Sequence, residues 1–324
     1  MGSLVAISLP PVGLGLVVAA LVLLCGEASG RLPLARLLLP RRATVTVVSE
    51  PPPARPGRPP ARVRLILTAA IDAGRAGLAY RLAPLEACLR RALGGHLISP
   101  AALLCLCLAI DAAVAGARLG DEDAGWPSIV ALAPTIVLLL GAAACIDIAL
   151  AGFTPGANAH ASAAAAALAV TAALDRDPPV HLAVELALTG AGEGGQLGMR
   201  AYVGRRRRGA RPQELAVVAF GPCGAGTIRY HATEGLLWPQ RLHPTLVGLA
   251  AEVPGARPLR RAMTNAAVAR RTGWPALGVS ALDHRERAGR AHRAGDDATD
   301  LERASIEAMV AYAVRLVRAL DRQL

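Results

Sequence analysis

The chain has no lysine, only two asparagines (Asn158 and Asn265) and few aromatics, at 3% of residues. All 35 basic side chains are therefore arginine. Hydrophobic residues nevertheless reach 53% of the 324, mostly Ala, Leu and Val. Such a profile carries the imprint of a coding bias toward Ala, Arg, Gly and Pro, which discounts the net charge of +11. A basic chain ordinarily points to nucleic acid or an anionic surface. Here the arginines are spread along the chain and stacking partners are scarce, which excludes nucleic acid as the expected partner. No two of the six cysteines (Cys25, Cys88, Cys105, Cys107, Cys145 and Cys223) have zinc-finger or thioredoxin spacing. Four lie in apolar runs, where Cys acts as a small hydrophobe, so no disulfide framework is expected.

Three apolar runs are present: Leu4 to Cys25, Leu97 to Ala117 and Ile129 to Ala151. Each approaches the ~20 residues that cross a hydrocarbon core as a helix. The first lacks the basic start and cleavage site of a signal peptide. Leu23-Leu24-Cys25-Gly26 departs from a lipoprotein box, because Leu24 rather than a small residue precedes Cys25. An uncleaved anchor is expected. Asp111 and Asp147 lie inside the second and third runs, where a carboxylate at the bilayer centre costs about 3 kcal/mol. With one acid per helix and no base in the runs, each acid is expected near a helix end or facing a partner helix rather than on an ion path.

The arginines are unequally placed. Residues 31–96 hold twelve Arg against three acids, whereas Arg118 to Ser128 holds one Arg against Asp121, Glu122 and Asp123. The positive-inside rule then puts the N-terminus and the acidic loop outside and the rest in the cytoplasm. The expected location is a multi-pass protein of the cell membrane, with the lipid bilayer as a partner.

Outside the runs, Leu32 to Arg42 reads as a basic interfacial helix and Pro51 to Pro60 as a Pro/Arg loop. Strands are expected at Thr44–Ser49, Arg62–Ala69, His181–Leu188, Leu215–Phe220, Thr227–Ala232 and Ala276–Leu282. Helices are expected at His160–Leu174, Gly195–Arg206, His243–Glu252 and Ser305–Leu324. The alternation argues for an α/β fold, a mixed sheet flanked by helices.

Four segments, in order, carry a family likeness: Ala69-Ala70-Ile71-Asp72; Pro155-Gly156-Ala157-Asn158-Ala159-His160-Ala161-Ser162-Ala163; Gly190-Ala191-Gly192-Glu193 followed by Gly198-Met199-Arg200-Ala201-Tyr202; and His292-Arg293-Ala294-Gly295-Asp296. Together they resemble metallopeptidase family 28, the di-zinc aminopeptidases, over about residues 44–324 with the second and third runs as an insertion. The resemblance implies a zinc aminopeptidase-like fold divided into an anchor and juxtamembrane segment at 1–43, a first peptidase-like part at 44–96, a transmembrane hairpin at 97–151 and a second peptidase-like part at 152–324.

That chemistry needs two metal ions around a bridging hydroxide, a bridging carboxylate and a general base. The resemblance implies that Ala70 stands where a first-zinc His belongs, Ala159 where the bridging Asp belongs, Gly192 where the general base belongs, and Gly221 where a first-zinc Asp belongs. Glu193 and His292 remain as ligands of the second zinc, Asp72 as the residue that orients the missing His, and His160 as a substitute ligand. No catalytic residue is left. The expected protein is an inactive pseudo-peptidase that binds a peptide or protein partner or serves structure. Its alternative is a single-zinc hydrolase using Glu193 and His292; the cofactor is accordingly one zinc or none.

Gly190-Ala191-Gly192-Glu193-Gly194-Gly195 also fits G-x-G-x-x-G between a strand and a helix, a second alternative that implies a bound nucleotide. The acidic residue expected about 20 positions later is missing. Arg205 to Arg208 reads either as a lipid-headgroup contact or as a solvated loop. Serine or cysteine nucleophiles have no supporting context, and Ser162 lies in no nucleophile elbow. The placement of arginine makes one prediction testable on intact membranes: protease added outside right-side-out vesicles leaves residues 152–324 uncut. Digestion of that segment would reverse the assigned orientation.

Overall fold

The computed structural model describes residues 2–30, 43–51, 60–81, 99–120, 125–209, 211–260 and 262–324. The expected interfacial helix at Leu32–Arg42, most of the Pro/Arg loop, Cys88 and the acids at 121–123 lie outside the described residues. The chain forms two compact units. One comprises Met1–Arg41, Gly77–Ala151 and Leu236–Trp238; the other comprises Arg42–Ala76, Gly152–Gly235 and Pro239–Leu324.

The first unit is helical: α1 (Gly2–Ser8), α2 (Pro10–Ser29), α3 (Pro100–Ala117) and α4 (Trp126–Leu150). The first apolar run is thus two helices rather than one. Pro10 and Pro11 supply no backbone N–H, and Pro10 forces Leu9 out of helical geometry. The short α1 folds back along α2, because a Cβ on Gly13 would lie 2.3 Å from the Ala6 Cα. Among the described residues, Pro10–Ser29, Pro100–Ala117, Trp126–Leu150 and Ala157–Arg176 are long and apolar enough to cross a membrane. Asp111 is 2% exposed and accepts hydrogen bonds from Ser3 Oγ at 2.6 Å and Thr135 Oγ1 at 3.3 Å. Asp147, one turn from the end of α4, accepts from the Leu78 amide at 2.6 Å. Both acids therefore serve helix contacts. Arg118, at the start of the acidic loop, is 7% exposed, donating to Ala6 O at 3.1 Å and Ser128 Oγ at 2.9 Å.

The second unit is a mixed α/β layer. Its strands are β1 (Thr46–Ser49), β2 (Val63–Ala70), β3 (Leu182–Thr189), β4 (Leu215–Phe220), β5 (Thr227–His231), β6 (Thr233–Glu234), β7 (Gln240–Arg241), β8 (Arg257–Leu259) and β9 (Ala276–Leu282). Its helices are α5 (Ser162–Arg176), α6 (Leu197–Arg206), α7 (Pro244–Glu252), α8 (Asn265–Arg271) and α9 (Arg303–Arg322). The main sheet has the order β1-β3-β2-β4-β9-β5-β8: β3, β2, β4 and β9 run parallel, β1 is antiparallel to β3, and β5 is antiparallel to β9 but parallel to β8. The pair β6-β7 stands apart.

Alternation along the central strands sorts side chains onto two faces. Leu65, Leu67, Ala216, Val218, Leu277 and Val279 meet α5, α7 and α9 on one face. Ile66, Leu215, Val217 and Ala276 meet α6 and α8 on the other. Being buried on both faces, β4 and β9 read as unbroken apolar runs. Helix α5 has the composition of a membrane span, but Ala163, Ala166, Ala167, Val170 and Leu174 face the sheet core. Among the polar side chains buried in the sheet is one carboxylate on a central strand. Glu185 is fully buried on β3, within 2.7 Å of Arg64 and 2.8 Å of Arg206. Arg206 is thereby committed to the sheet rather than to lipid.

Leu67 is 0% exposed in this core, whereas Leu168 on the outer side of α5 is 49% exposed. Leu67→Ala should cost about 2–5 kcal/mol in thermal unfolding, and Leu168→Ala less than about 0.5 kcal/mol. Equal losses would contradict the packing.

Candidate functional site

Three neighbouring parallel strands end side by side, β3, β2 and β4. The chain leaves β2 for β3 on one side and then crosses to β4 on the other. This is a topological switch point, the place at the carboxyl ends of the strands where open α/β sheets commonly carry their sites. The four motif segments converge here: Asp72 beyond β2, Gly192 and Glu193 beyond β3, the turn Ala157–Ala161 that leads into α5, and His292–Asp296; Gly221 follows β4.

Asp72 organises the floor. Its Oδ1 accepts the Gly192 amide at 2.7 Å and its Oδ2 the Glu193 amide at 2.9 Å. Glu193 then faces two imidazoles. His160 Nε2 lies 2.6 Å from Glu193 Oε1, and His292 Nε2 lies 3.6 Å from the same oxygen. His292 has a left-handed backbone, φ 62°, rare for a residue with a side chain. Gly74 makes room for it, since a Cβ there would lie 2.6 Å from His292 Nδ1.

Asp296 holds the turn that presents His160. It is 1% exposed, and its carboxylate takes the amides of Asn158 at 2.7 Å and Ala159 at 3.2 Å. Its backbone oxygen takes the Ala157 amide at 3.0 Å. Asp296 stands in the fourth motif, but its use here as a clamp was not read from the sequence.

Burial opposes the charged imidazole of His160. The hydrogen bond to Glu193 and its charge, helped by Asp72 and Asp296, outweigh burial and raise the His160 pKa. Burial likewise opposes the Glu193 carboxylate, but the His160 hydrogen bond and then the charges of His292 and His160 bring its pKa below the usual value. The two shifts agree on one species, a charged His–carboxylate pair.

Two of the positions implied as lost are also crowded by neighbouring atoms. A Cβ on Gly192 would lie 2.6 Å from the Ala70 Cβ and 2.9 Å from Asp72 Oδ1. A Cβ on Gly221 would meet Thr264 Cγ2 at 3.2 Å and Ser280 Cβ at 3.3 Å. Ala159 is buried at 4% exposure. Among the described residues, no group of three or more His, Cys, Asp or Glu is arranged to hold a metal ion. The residues present do not fit a two-zinc centre. They also give a nucleotide little to hold, because Asp72 already uses the amides of the glycine-rich turn that a pyrophosphate would need.

One constellation escaped the sequence. His231 Nε2 lies 2.8 Å from Ser280 Oγ and its Nδ1 2.6 Å from Glu234 Oε1, the connectivity of a nucleophile, base and orienting acid. All three are 2% exposed or less, and Glu234 also takes the amides of Thr264 at 2.9 Å and Ala267 at 3.0 Å. No substrate reaches this Ser. It is a buried polar brace for the loop before α8, and the His231-x-x-Glu234 spacing was its only sequence trace. Burial also pushes the Cys223 thiol up to about 12, which leaves it inert as a nucleophile.

No protein-family model matches the chain, and no curated protein matches it. Several solved structures share part of the fold. The LapA aminopeptidase of Legionella pneumophila is 16% identical, with 53% of this chain and 49% of that one covered and a TM-score of 0.44. BSAP, a zinc aminopeptidase from Bacillus subtilis, is 14% identical over 52% of this chain and 43% of that one, TM-score 0.41. The glutaminyl cyclase of Fimbriiglobus ruber is 12% identical over 85% and 75%, TM-score 0.49. The chain spans about half the length of the two aminopeptidases. Similarity at this level assigns neither a family nor an activity.

The His160–Glu193 pair sets a pH signature. The raised His160 pKa adds stability that is complete below about pH 6.5 and fades as pH rises through its folded value. The lowered Glu193 pKa adds stability that is complete above about pH 4.3 and fades as pH falls through its folded value. The difference in melting temperature between the natural chain and Glu193→Gln should therefore be largest near about pH 5.5 and shrink toward about pH 9. A difference that grows with pH would contradict the pair.

Proposed function

We propose that this chain is a membrane-anchored, peptidase-like protein that does not hydrolyse peptides and keeps its cleft for a peptide or protein partner, or for structure. One observation carries this reading. The four positions that the motif resemblance reserves for metal ligands and base hold Ala70, Ala159, Gly192 and Gly221, and neighbouring atoms crowd the place of a side chain at two of them. Loss of a general base alone typically lowers a rate ~10²–10⁴-fold. Loss of the bridging carboxylate also removes the support of the attacking hydroxide. The anchoring part of the proposal rests on α2, α3 and α4, which have the length and apolarity of membrane spans. The sheet unit is assigned to the cytoplasm and the protein to the cell membrane on the placement of arginine.

A second reading has its own observation. His160 and His292 both approach Glu193 Oε1. Separation of the 2.6 Å contact would give a single zinc three protein ligands, Glu193, His160 and His292, with an open fourth position. The full chain, incubated with zinc and assayed on aminoacyl anilides, separates the two. The pseudo-peptidase predicts hydrolysis indistinguishable from buffer, with no change in His292→Ala. Zinc-dependent turnover that His292→Ala abolishes would overturn it in favour of the single-zinc hydrolase.

A further inference from the structure

Cys25 lies one turn from the end of α2, and Cys105 lies in the second turn of α3. Their Sγ atoms are 3.4 Å apart, although 80 residues separate them in the chain. Both are free thiols. Alanines on either side, Ala28 on α2 and Ala101 and Ala102 on α3, let the two helices come close around the pair. A disulfide bond is about 2.05 Å long, so closure needs an approach of about 1.4 Å, within reach of small side-chain rotations. Cys105 is 7% exposed and Cys25 is half-buried, so a reagent meets Cys25 first. At about 1.5 Å of rise per residue, both thiols sit within about 8 Å of their helix ends rather than at mid-helix.

We propose that Cys25 and Cys105 form a reversible disulfide that staples α2 to α3, with a small-molecule disulfide as the oxidant. The Cys25 sulfur attacks one sulfur of the reagent, whose S–S bond breaks and releases one small thiol. The Cys105 sulfur then attacks the Cys25 side of this mixed disulfide and displaces the second small thiol. Two protein thiols lose two electrons and two protons. The reagent takes up both as two thiols. Cys107, Cys145 and Cys223 are free thiols outside this contact, and Cys223 is buried in the sheet unit.

The full chain in mild detergent, treated with hydroxyethyl disulfide, alkylated and digested, provides the test by mass spectrometry. The expected result is a Cys25–Cys105 linked peptide two hydrogens lighter than the reduced pair, in most chains, reversed by dithiothreitol. Cys25→Ser and Cys105→Ser should each remove it, and the oxidised natural chain should melt above the reduced one. Recovery of both residues as alkylated thiols, a link from Cys25 to any other cysteine, or identical melting of the two forms would overturn the proposal.

Discussion

The Asp72 carboxylate is the constraint on which the candidate site depends. It ties the end of β2 to the turn after β3 through the amides of Gly192 and Glu193. That tie fixes where Glu193 points, and Glu193 in turn gathers His160 and His292. The arrangement is self-sufficient. Each carboxylate finds donors within the protein, so neither needs a metal ion to offset its burial. A working two-metal centre has the opposite character, because its carboxylates are paired with the cations rather than with protein donors.

The alanine and glycine positions of the site also constrain one another. Ala70 and Gly192 stand against each other, so no ligand fits at one position without displacing the other. Gly221 is crowded by Thr264 and Ser280, which belong to the buried His231–Glu234 brace. Placing longer side chains at Gly192 and Gly221 would thus require repacking of their neighbours. Polar groups that a hydrolase would direct at substrate are used here to hold turns: Asp296 the turn before α5, Glu234 the loop before α8.

Much of the sheet was legible because its physics is local. Leu215–Phe220 and Ala276–Leu282 are uniform apolar strands bounded by turn residues, and both are observed at those limits. Helix α9 showed its apolar stripe directly. Less legible were features set by partners distant in sequence. The fold-back of α1 depends on Gly13 admitting Ala6, and Arg118 is buried by carbonyl and hydroxyl groups from two other segments. Short strands such as β8 carry too few residues for a period. In the cleft, the motifs named Asp72, His160, Glu193 and His292, and the structure brings those four together; the His160–Glu193 contact itself, and the clamp by Asp296, needed coordinates.

On the proposed reading, Glu193 is engaged by His160 at 2.6 Å and is not available to zinc. Calorimetric titration of zinc into the metal-free full chain at neutral pH tests this directly. The account predicts no binding stronger than millimolar, unchanged by His292→Ala. Stoichiometric micromolar binding that His292→Ala removes would contradict it.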